Sequence, residues 1–479
     1  MSESLQKKTL KGTIWSGFER LSVQSVSFIV LIIMARIVTP DDYGLVGMLT
    51  VFIEISQSLV DSGFSQALIR KRDRSQLDNS TVFYFNLAVG IILYFVLYLC
   101  APIIAYFYED ERLIMLTRVI SVTVVLNSLV VVQRALLTVE IDFKTQAKAS
   151  LWAAIIGGVV GIAMAYAGFG VWSIVSYQVL NIAINVILLW LYSSWRPSLM
   201  YSWDSFRHLF SFGSRLAAAG LLNTLYSNGY LIVIGKVFKA SDLGYYTRAH
   251  QFGSFLSSNV TGILQRVTYP VLCTIQDEDE RLSDAYLKFI RLSAFIVFPL
   301  MVCLSVLSEP LILLLLKEQW LFSAKLMSIL CFAMMWYPIH SINLNLLQVK
   351  GRSDLFLRLE IIKKIIGVII LFISLPFGLE WMCWGQVVNS IVSLAINTHY
   401  TGRLIGLGFI RQMRYLMPTV FYSCVMGGFI CLVKGLINVG SMQLLVGLIS
   451  GMLSYLGLAW ITNSSDLKLI LNLKNQFKK

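Results

Sequence analysis

"LIIMARIVTPDDYG" occupies residues 31–44 and "LIVIGKVFKASDLG" occupies residues 231–244. Leu, Ile, Asp and Gly coincide at the same steps, and Arg36 stands where Lys236 stands. A second pair, "FGVWSIVSYQVLN" (169–181) and "FGLEWMCWGQVVN" (377–389), shares Phe-Gly, Gln-Val and Asn at nearly the same offset. The first pair falls at the end of the first apolar segment of each half, and the second pair opens the sixth. The matched offsets predict an internal repeat. Each half then holds roughly six helices, an even number, so the second half enters the membrane as the first does. That makes a parallel repeat about an axis along the membrane normal, with a cleft between two lobes.

The composition places these helices in a bilayer. The chain has 479 residues, 57% hydrophobic and only 14% charged, where a soluble domain carries about 25% charged residues. The mean hydropathy is +0.73. Runs of about 20 mostly apolar residues are long enough to cross hydrocarbon, and about fourteen such runs are countable. The polar stretches 208–238 and 242–270 are the weakest, so twelve is the alternative count. The expected fold is an all-α polytopic membrane protein. Residues 1–200 form an N-lobe and 201–405 a C-lobe, each of about six helices around a central cavity. Residues 406–479 carry two peripheral helices and a tail.

Net charge of +13 fits basic cytoplasmic loops better than a nucleic-acid surface. With the N-terminus inside, one set of loops carries Lys7, Lys8, Lys11, Arg70, Lys71, Arg72, Arg74, Lys350, Arg352 and the C-terminal lysines. The other set is poorer in Lys and Arg by about three to one, which predicts that both termini are cytoplasmic. The first apolar segment lacks the small-x-small site of a cleaved leader. The seven cysteines form no C-x-x-C pattern and mostly lie in apolar runs, where packing is their ordinary role. No connecting loop is long enough to fold with a core of its own, so function resides in the bilayer or at its faces.

Polar side chains recur at helical spacing in four segments. Helix 1 carries Thr13, Ser16, Arg20, Gln24 and Ser27; helix 2 carries Thr50, Glu54, Gln57, Ser58, Asp61 and Ser65. Helix 7 carries Arg215, Asn223 and Ser227 beside Ala217-Ala218-Ala219-Gly220, and helix 8 carries Arg248, Gln251, Ser254, Ser258 and Gln265. Steps of three and four place each set on one face. These are the first two helices of each half, so the repeat would set them around the cleft. A charge at the bilayer centre costs about 2.5–3.5 kcal/mol, and a hydrated cavity relieves that cost. Snorkelling to the interface is the plainer reading for Arg20 and Arg248, and helix-to-helix bonding for Asn223, Gln251 and Gln265. Glu19 lies about 100° from Arg20 around the helix and reads as its local counter-charge.

Enzyme signatures are missing. There is no G-x-x-x-x-G-K-[ST], H-E-x-x-H or G-x-S-x-G. The four histidines are single, without a second ligand one turn away, so no metal or other cofactor is expected. "QDEDERLSD" (276–284) is the densest acidic cluster; without a supporting domain it reads as solvated surface.

Several stretches together carry a family resemblance: "LKGTIWSGFERL", "ARIVTPDDYGLVGM", "VDSGFSQALIRK", "QRALLTVEIDFKTQA", "GFGVWSIV" and "LGYYTRAHQF" with "RVTYPVL". The chain resembles the Wzx-type polysaccharide transporters, in the branch of lipopolysaccharide and colanic-acid exporters within the multidrug/oligosaccharidyl-lipid/polysaccharide exporter superfamily. The likeness covers most of 1–400. It implies a bacterial inner-membrane flippase that carries a polyprenyl-pyrophosphate-linked oligosaccharide to the outer leaflet by alternating access, without catalysis. The partners implied are that substrate, membrane lipid and other polysaccharide-assembly proteins. Cavity arginines in such proteins hold the pyrophosphate, which points to Arg20 and Arg248, with Arg215 less secure. Gln24, Glu54, Gln57, Asn223 and Gln251 complete the candidate cavity lining, and Glu54 or Asp61 is the candidate coupling carboxylate. The alternatives are an ion-coupled drug exporter of the same fold and a membrane enzyme of polysaccharide assembly. Arginines beside the carboxylates favour an anionic ligand over the first, and the lack of a large extracytoplasmic loop counts against the second.

Overall fold

The computed structural model describes residues 22–61, 63–71, 73–437 and 439–469, without the side chains of Phe212 and Arg215. Glu19 and Arg20 lie outside the described residues, as does the side chain of Arg215. All regular structure among the described residues is helical. Chain order begins with α1 (Ser22–Ala35), α2 (Pro40–Asp61), α3 (Phe64–Arg70) and α4 (Gln76–Tyr108). One broken run follows: α5 (Arg112–Ile120), α6 (Val122–Ser128) and α7 (Val131–Val139). Then come α8 (Phe143–Tyr166), α9 (Val171–Tyr192), α10 (Trp203–Ser227), α11 (Gly229–Val237) and α12 (Ala240–Thr274). The remainder is α13 (Asp279–Val306), α14 (Ser308–Leu316), α15 (Leu321–Met334), α16 (Tyr337–Val349), α17 (Ser353–Ser374), α18 (Leu379–Ile405), α19 (Phe409–Leu436) and α20 (Gly440–Ile461).

Among the described residues nine helices or helix runs are long and apolar enough to cross a membrane, and a tenth is added if Leu216–Ser227 and Gly229–Val237, bent by 42°, are one span. The sequence expectation of about fourteen spans would need α1, α12, α17 and α18 as well. The polar stripe of α12 and the charges Arg358, Glu360, Lys363 and Lys364 of α17 lower the hydropathy of two of these helices. Exposed faces elsewhere are apolar, with Ile92, Leu99, Leu436 and Leu453 turned outward, as helices bathed in hydrocarbon require.

The chain divides into two compact units, residues 1–244 and 245–479. The division falls downstream of residue 200, so α10 and α11 belong to the first unit. In that unit α8 and α9 pack tightly because small residues line their seam. A Cβ on Gly157 would lie 3.1 Å from the Asn181 nitrogen, and one on Gly161 would lie 2.8 Å from Tyr177 Cβ. Between membrane helices, where hydrophobicity offers no drive, such close backbone approach supplies the van der Waals contact.

The helix starts at the two repeated stretches are built alike. Thr39 precedes α2, and its Oγ1 donates to Asp42 Oδ2 at 2.7 Å while the Asp42 N–H returns to Oγ1 at 3.3 Å. The Lys239 N–H donates to Asp242 Oδ2 at 3.3 Å at the start of α12. In both, an acidic side chain satisfies donors that a helix start leaves open. The two starts also cross. A Cβ on Gly44 would collide with the Ala240 carbonyl, and a Cβ on Gly244 with the Pro40 carbonyl, 2.8 Å from its carbon. The contact is reciprocal between positions the sequence repeat pairs, so the glycines are required by mutual approach.

In the second unit, α15 and α16 form a span broken at Met335–Trp336. Pro338 has no N–H, which leaves the Met334 carbonyl without its helical donor; Ser257 Oγ of α12 donates to it at 2.7 Å. Ser390 Oγ of α18 donates to the Ala333 carbonyl at 2.9 Å. A buried amide cluster joins α16, α18 and α19: Thr401 Oγ1 donates to Asn343 Oδ1 at 2.9 Å, and Gln412 Nε2 to Tyr286 Oη of α13 at 3.1 Å. The pair α19 and α20 shares one buried cluster with α13, including Phe295, Val302, Tyr422, Met426, Ile430 and Tyr455.

Candidate functional site

The polar face of α2 organises the first unit. α10 runs antiparallel along it, as three contacts show. Near Gly63, whose φ is +66°, a Cβ would lie 2.6 Å from the Gly213 carbonyl oxygen. A Cβ on Gly220 would lie 3.2 Å from Ser58 Oγ. Asn228, at the bend between α10 and α11, donates from Nδ2 to Glu54 Oε2 at 2.7 Å and to the Thr224 carbonyl at 3.0 Å. Glu54 is thus tied to the break of the neighbouring span.

One turn further along α2 the chain opens a cavity of about 180 Å³ lined by Gln57, Val60, Asp61, Ser65, Asn127, Val131 and Arg134. It lies where two spans are interrupted: α2 passes to α3 at Gly63, and α6 passes to α7 at Leu129–Val130. Interrupted helices expose backbone groups that hydrocarbon would not tolerate, so such breaks are confined to protein interiors and hydrated cavities. Arg134 Nη2 donates to Asn185 Oδ1 of α9 at 2.8 Å, and Asn185 Nδ2 donates to Ser150 Oγ of α8 at 3.3 Å. Asp61 and Arg134 line the same cavity. The cavity therefore sets a carboxylate and a guanidinium beside amide and hydroxyl groups inside a helical bundle. This arrangement can bind an anion at Arg134, or exchange a cation or proton at Asp61.

Of the residues singled out from sequence, Gln57, Asp61 and Ser65 meet in this cavity and Glu54 sits at the adjoining contact. Gln24 of α1 has its Oε1 buried with no hydrogen-bond donor among the described residues. Asn223 is exposed on α10, and its carbonyl accepts from Ser227 Oγ at 2.8 Å. In the second unit Arg248 Nη1 donates to Gln251 Oε1 at 2.6 Å, and Gln265 Nε2 donates to Ser341 Oγ of α16. So Gln265 joins helices, as one reading of its stripe had it. Among the described residues no group of three His, Cys, Asp or Glu is placed to hold a metal ion.

Sequence reasoning missed Arg134, Asn127, Asn185 and Asn228. Arg134 was legible as an arginine inside an apolar run. Asn185 ends a row with Gln178 and Asn181 at helical steps on α9. Asn228 carried no such signal, because its role depends on where α10 bends.

Residues 33–325 match the family model described as "Polysaccharide biosynthesis protein". The chain belongs to this family. The teichuronic acid biosynthesis protein TuaB of Bacillus subtilis is 25% identical over 431 residues, covering 88% of each chain. The lipopolysaccharide biosynthesis protein WzxC of Escherichia coli is 24% identical over 368 residues, 76% of this chain and 75% of its own. Among solved structures, the lipid II flippase MurJ in an inward closed conformation superposes with a TM-score of 0.73 at 15% identity, covering 95% of this chain and 98% of that one. The expected family and all-helical fold therefore hold, and the protein is a multi-pass membrane protein of polysaccharide biosynthesis.

Proposed function

We propose that this protein is a flippase that moves a polyprenyl-pyrophosphate-linked oligosaccharide across the bacterial inner membrane by alternating access, and that it catalyses no covalent step. The observation that carries this reading is the fold of a lipid flippase, matched along nearly the whole chain, in a member of a polysaccharide biosynthesis family. The longest segment between described helices is 193–202, too short for a catalytic domain with its own core.

The chemistry follows from what must cross. A pyrophosphate left in hydrocarbon is prohibitively costly, and guanidinium groups meet its oxygens with charge-assisted, two-pronged hydrogen bonds. Arg20, Arg215 and Arg248 take that role in this proposal; Gln24, Gln57, Asn223 and Gln251 meet the sugar hydroxyls. Asp61 is the better candidate for ion coupling, because Glu54 is held by Asn228 whereas Asp61 faces a cavity with Arg134. The proposal keeps about fourteen spans, lobes of residues 1–200 and 201–405, peripheral helices in 406–479 and both termini in the cytoplasm.

Deleting the gene in its host and quantifying lipid-linked repeat units on each membrane face tests the reading. Accumulation on the cytoplasmic side with loss of surface polysaccharide is expected, restored by the wild-type chain but not by Arg20→Ala or Arg248→Ala at equal protein level. Unchanged polysaccharide without an accumulated intermediate would refute it.

A further inference from the structure

Arg118 is a cation within a membrane span, and the proposed transport path makes no use of it. It lies on α5, inside the apolar run Arg112–Val139. Six residues of helix separate it from Arg112, a rise of about 9 Å. Arg112 itself is exposed and tied to Asp110 and Asp41 at 2.6 and 2.8 Å. A headgroup layer is about 5–8 Å deep on each side of the hydrocarbon, so Arg118 falls at its inner edge. A long cationic side chain at that depth ordinarily runs out to the water. This one does not: its guanidinium carbon lies 4.5 Å from the Tyr98 ring centre on α4, held by cation–π attraction.

Among the described residues no carboxylate pairs with it. The elements packed on α5 are α2, α4, α6 and α9. Neither 112–139 nor α9 contains an Asp or Glu. The acid of α4, Asp78, is near its other end and bonded to Lys71 at 2.7 Å. On α2, Asp41 holds Arg112, Asp42 caps Thr39, Glu54 holds Asn228 and Asp61 lies in the cavity with Arg134. The Arg118 Nε is buried without an acceptor among the described residues. Around it the surface is apolar and open, with Phe95 55%, Leu99 72% and Met115 56% exposed.

We propose that Arg118, held by Tyr98, is a binding site for the phosphate of a membrane lipid. An intramembrane guanidinium needs an anion, and the phosphate group is the anion a bilayer supplies at this depth. Its oxygens accept two parallel N–H bonds from one guanidinium edge, while the lipid chains lie along Phe95, Leu99 and Met115. The phosphate has two sources: an anionic phospholipid or, if the proposed function holds, the pyrophosphate of the polyprenyl carrier.

The full chain, reconstituted in nanodiscs containing equal phosphatidylglycerol and phosphatidylcholine, is released and its retained lipids are weighed by native mass spectrometry. Wild type is expected to retain phosphatidylglycerol preferentially, and Arg118→Ala to lose that preference by roughly ten- to a hundredfold. Arg118→Lys, which keeps charge but lacks the two-donor edge, should recover part of it. Tyr98→Leu, which frees the guanidinium, should weaken it too, and serves if Arg118→Ala fails to fold. Equal retention by wild type and these variants overturns the proposal. Polyprenyl pyrophosphate added to the same nanodiscs separates the sources. Displacement of phosphatidylglycerol from wild type shows that the site also takes the carrier. Retention of phosphatidylglycerol assigns the site to phospholipid, independently of whether the chain is a flippase.

Discussion

Replacing Gly44 with alanine should destabilise the first unit severely, although the substitution adds one methyl group to a helix and alanine is the better helix former. The new Cβ would overlap the Ala240 carbonyl and lie 3.0 Å from the Ala240 Cα, where unstrained contact begins at 3.4 Å. Both partners are backbone, so no side chain can swing aside. Overpacking a tight contact costs about 1–3 kcal/mol when neighbours can adjust; with backbone on both sides, about 3 kcal/mol or more is expected. For a unit of this size each kcal/mol lowers the melting temperature by about 2–4 °C, so the purified protein should melt roughly 6–12 °C lower. Gly244→Ala, which meets the Pro40 carbonyl, should behave alike. Because both open the same crossing, the double variant should lose less than the two losses added. Gly428→Ala in α19 and Gly457→Ala in α20 are the controls. A Cβ at either meets nothing within 4 Å, so helix propensity alone acts and stability should rise by about 0.5–1 kcal/mol. If Gly44→Ala melted with wild type or above it, the reciprocal crossing would be wrong.

Three further outcomes are expected. Asn228→Ala removes the 2.7 Å donor of Glu54 and should cost about 1.5–3 kcal/mol in thermal melts, with Glu54→Gln in the same background recovering part of it. Arg134→Gln and Asp61→Asn should each cut surface-polysaccharide complementation, and the double variant should be less impaired than the product of the singles, since the two charges share one cavity; strictly multiplicative losses would separate them. Hydrogen bonds from Lys236 and Arg112 hold the Glu109 and Asp110 carboxyls below their ordinary values. A lowered carboxyl contributes stability that is present above its unfolded value and lost as pH falls through the folded one. The melting temperature should therefore fall as pH drops below about 4, and Arg112→Ala should flatten the part of that fall due to Asp110.

The polar face of α2 was readable from spacing alone, because steps of three and four leave one side of a helix whatever it packs against. Glu54, Gln57 and Asp61 were therefore named together, but their separation into a helix-to-helix bond and a cavity was not. That division depends on the bend at Asn228 and on the break at Leu129–Val130, both created by neighbouring spans. The span count shows the reverse difficulty. The polar stripe of α12 lowers its hydropathy, so a polar-faced helix is less conspicuous as a membrane span than its apolar neighbours.

Apolar length and sparse charge by themselves determined that this is a helical membrane protein, because hydrocarbon admits few backbone arrangements. Only the tertiary structure decided why Gly44 and Gly244 are glycines, that Arg134 shares a cavity with Asp61, and that no carboxylate among the described residues pairs with Arg118. Those are questions of which backbones and charges come within a few ångströms across helices far apart in the chain, and residue spacing along one helix carries no information about its neighbours.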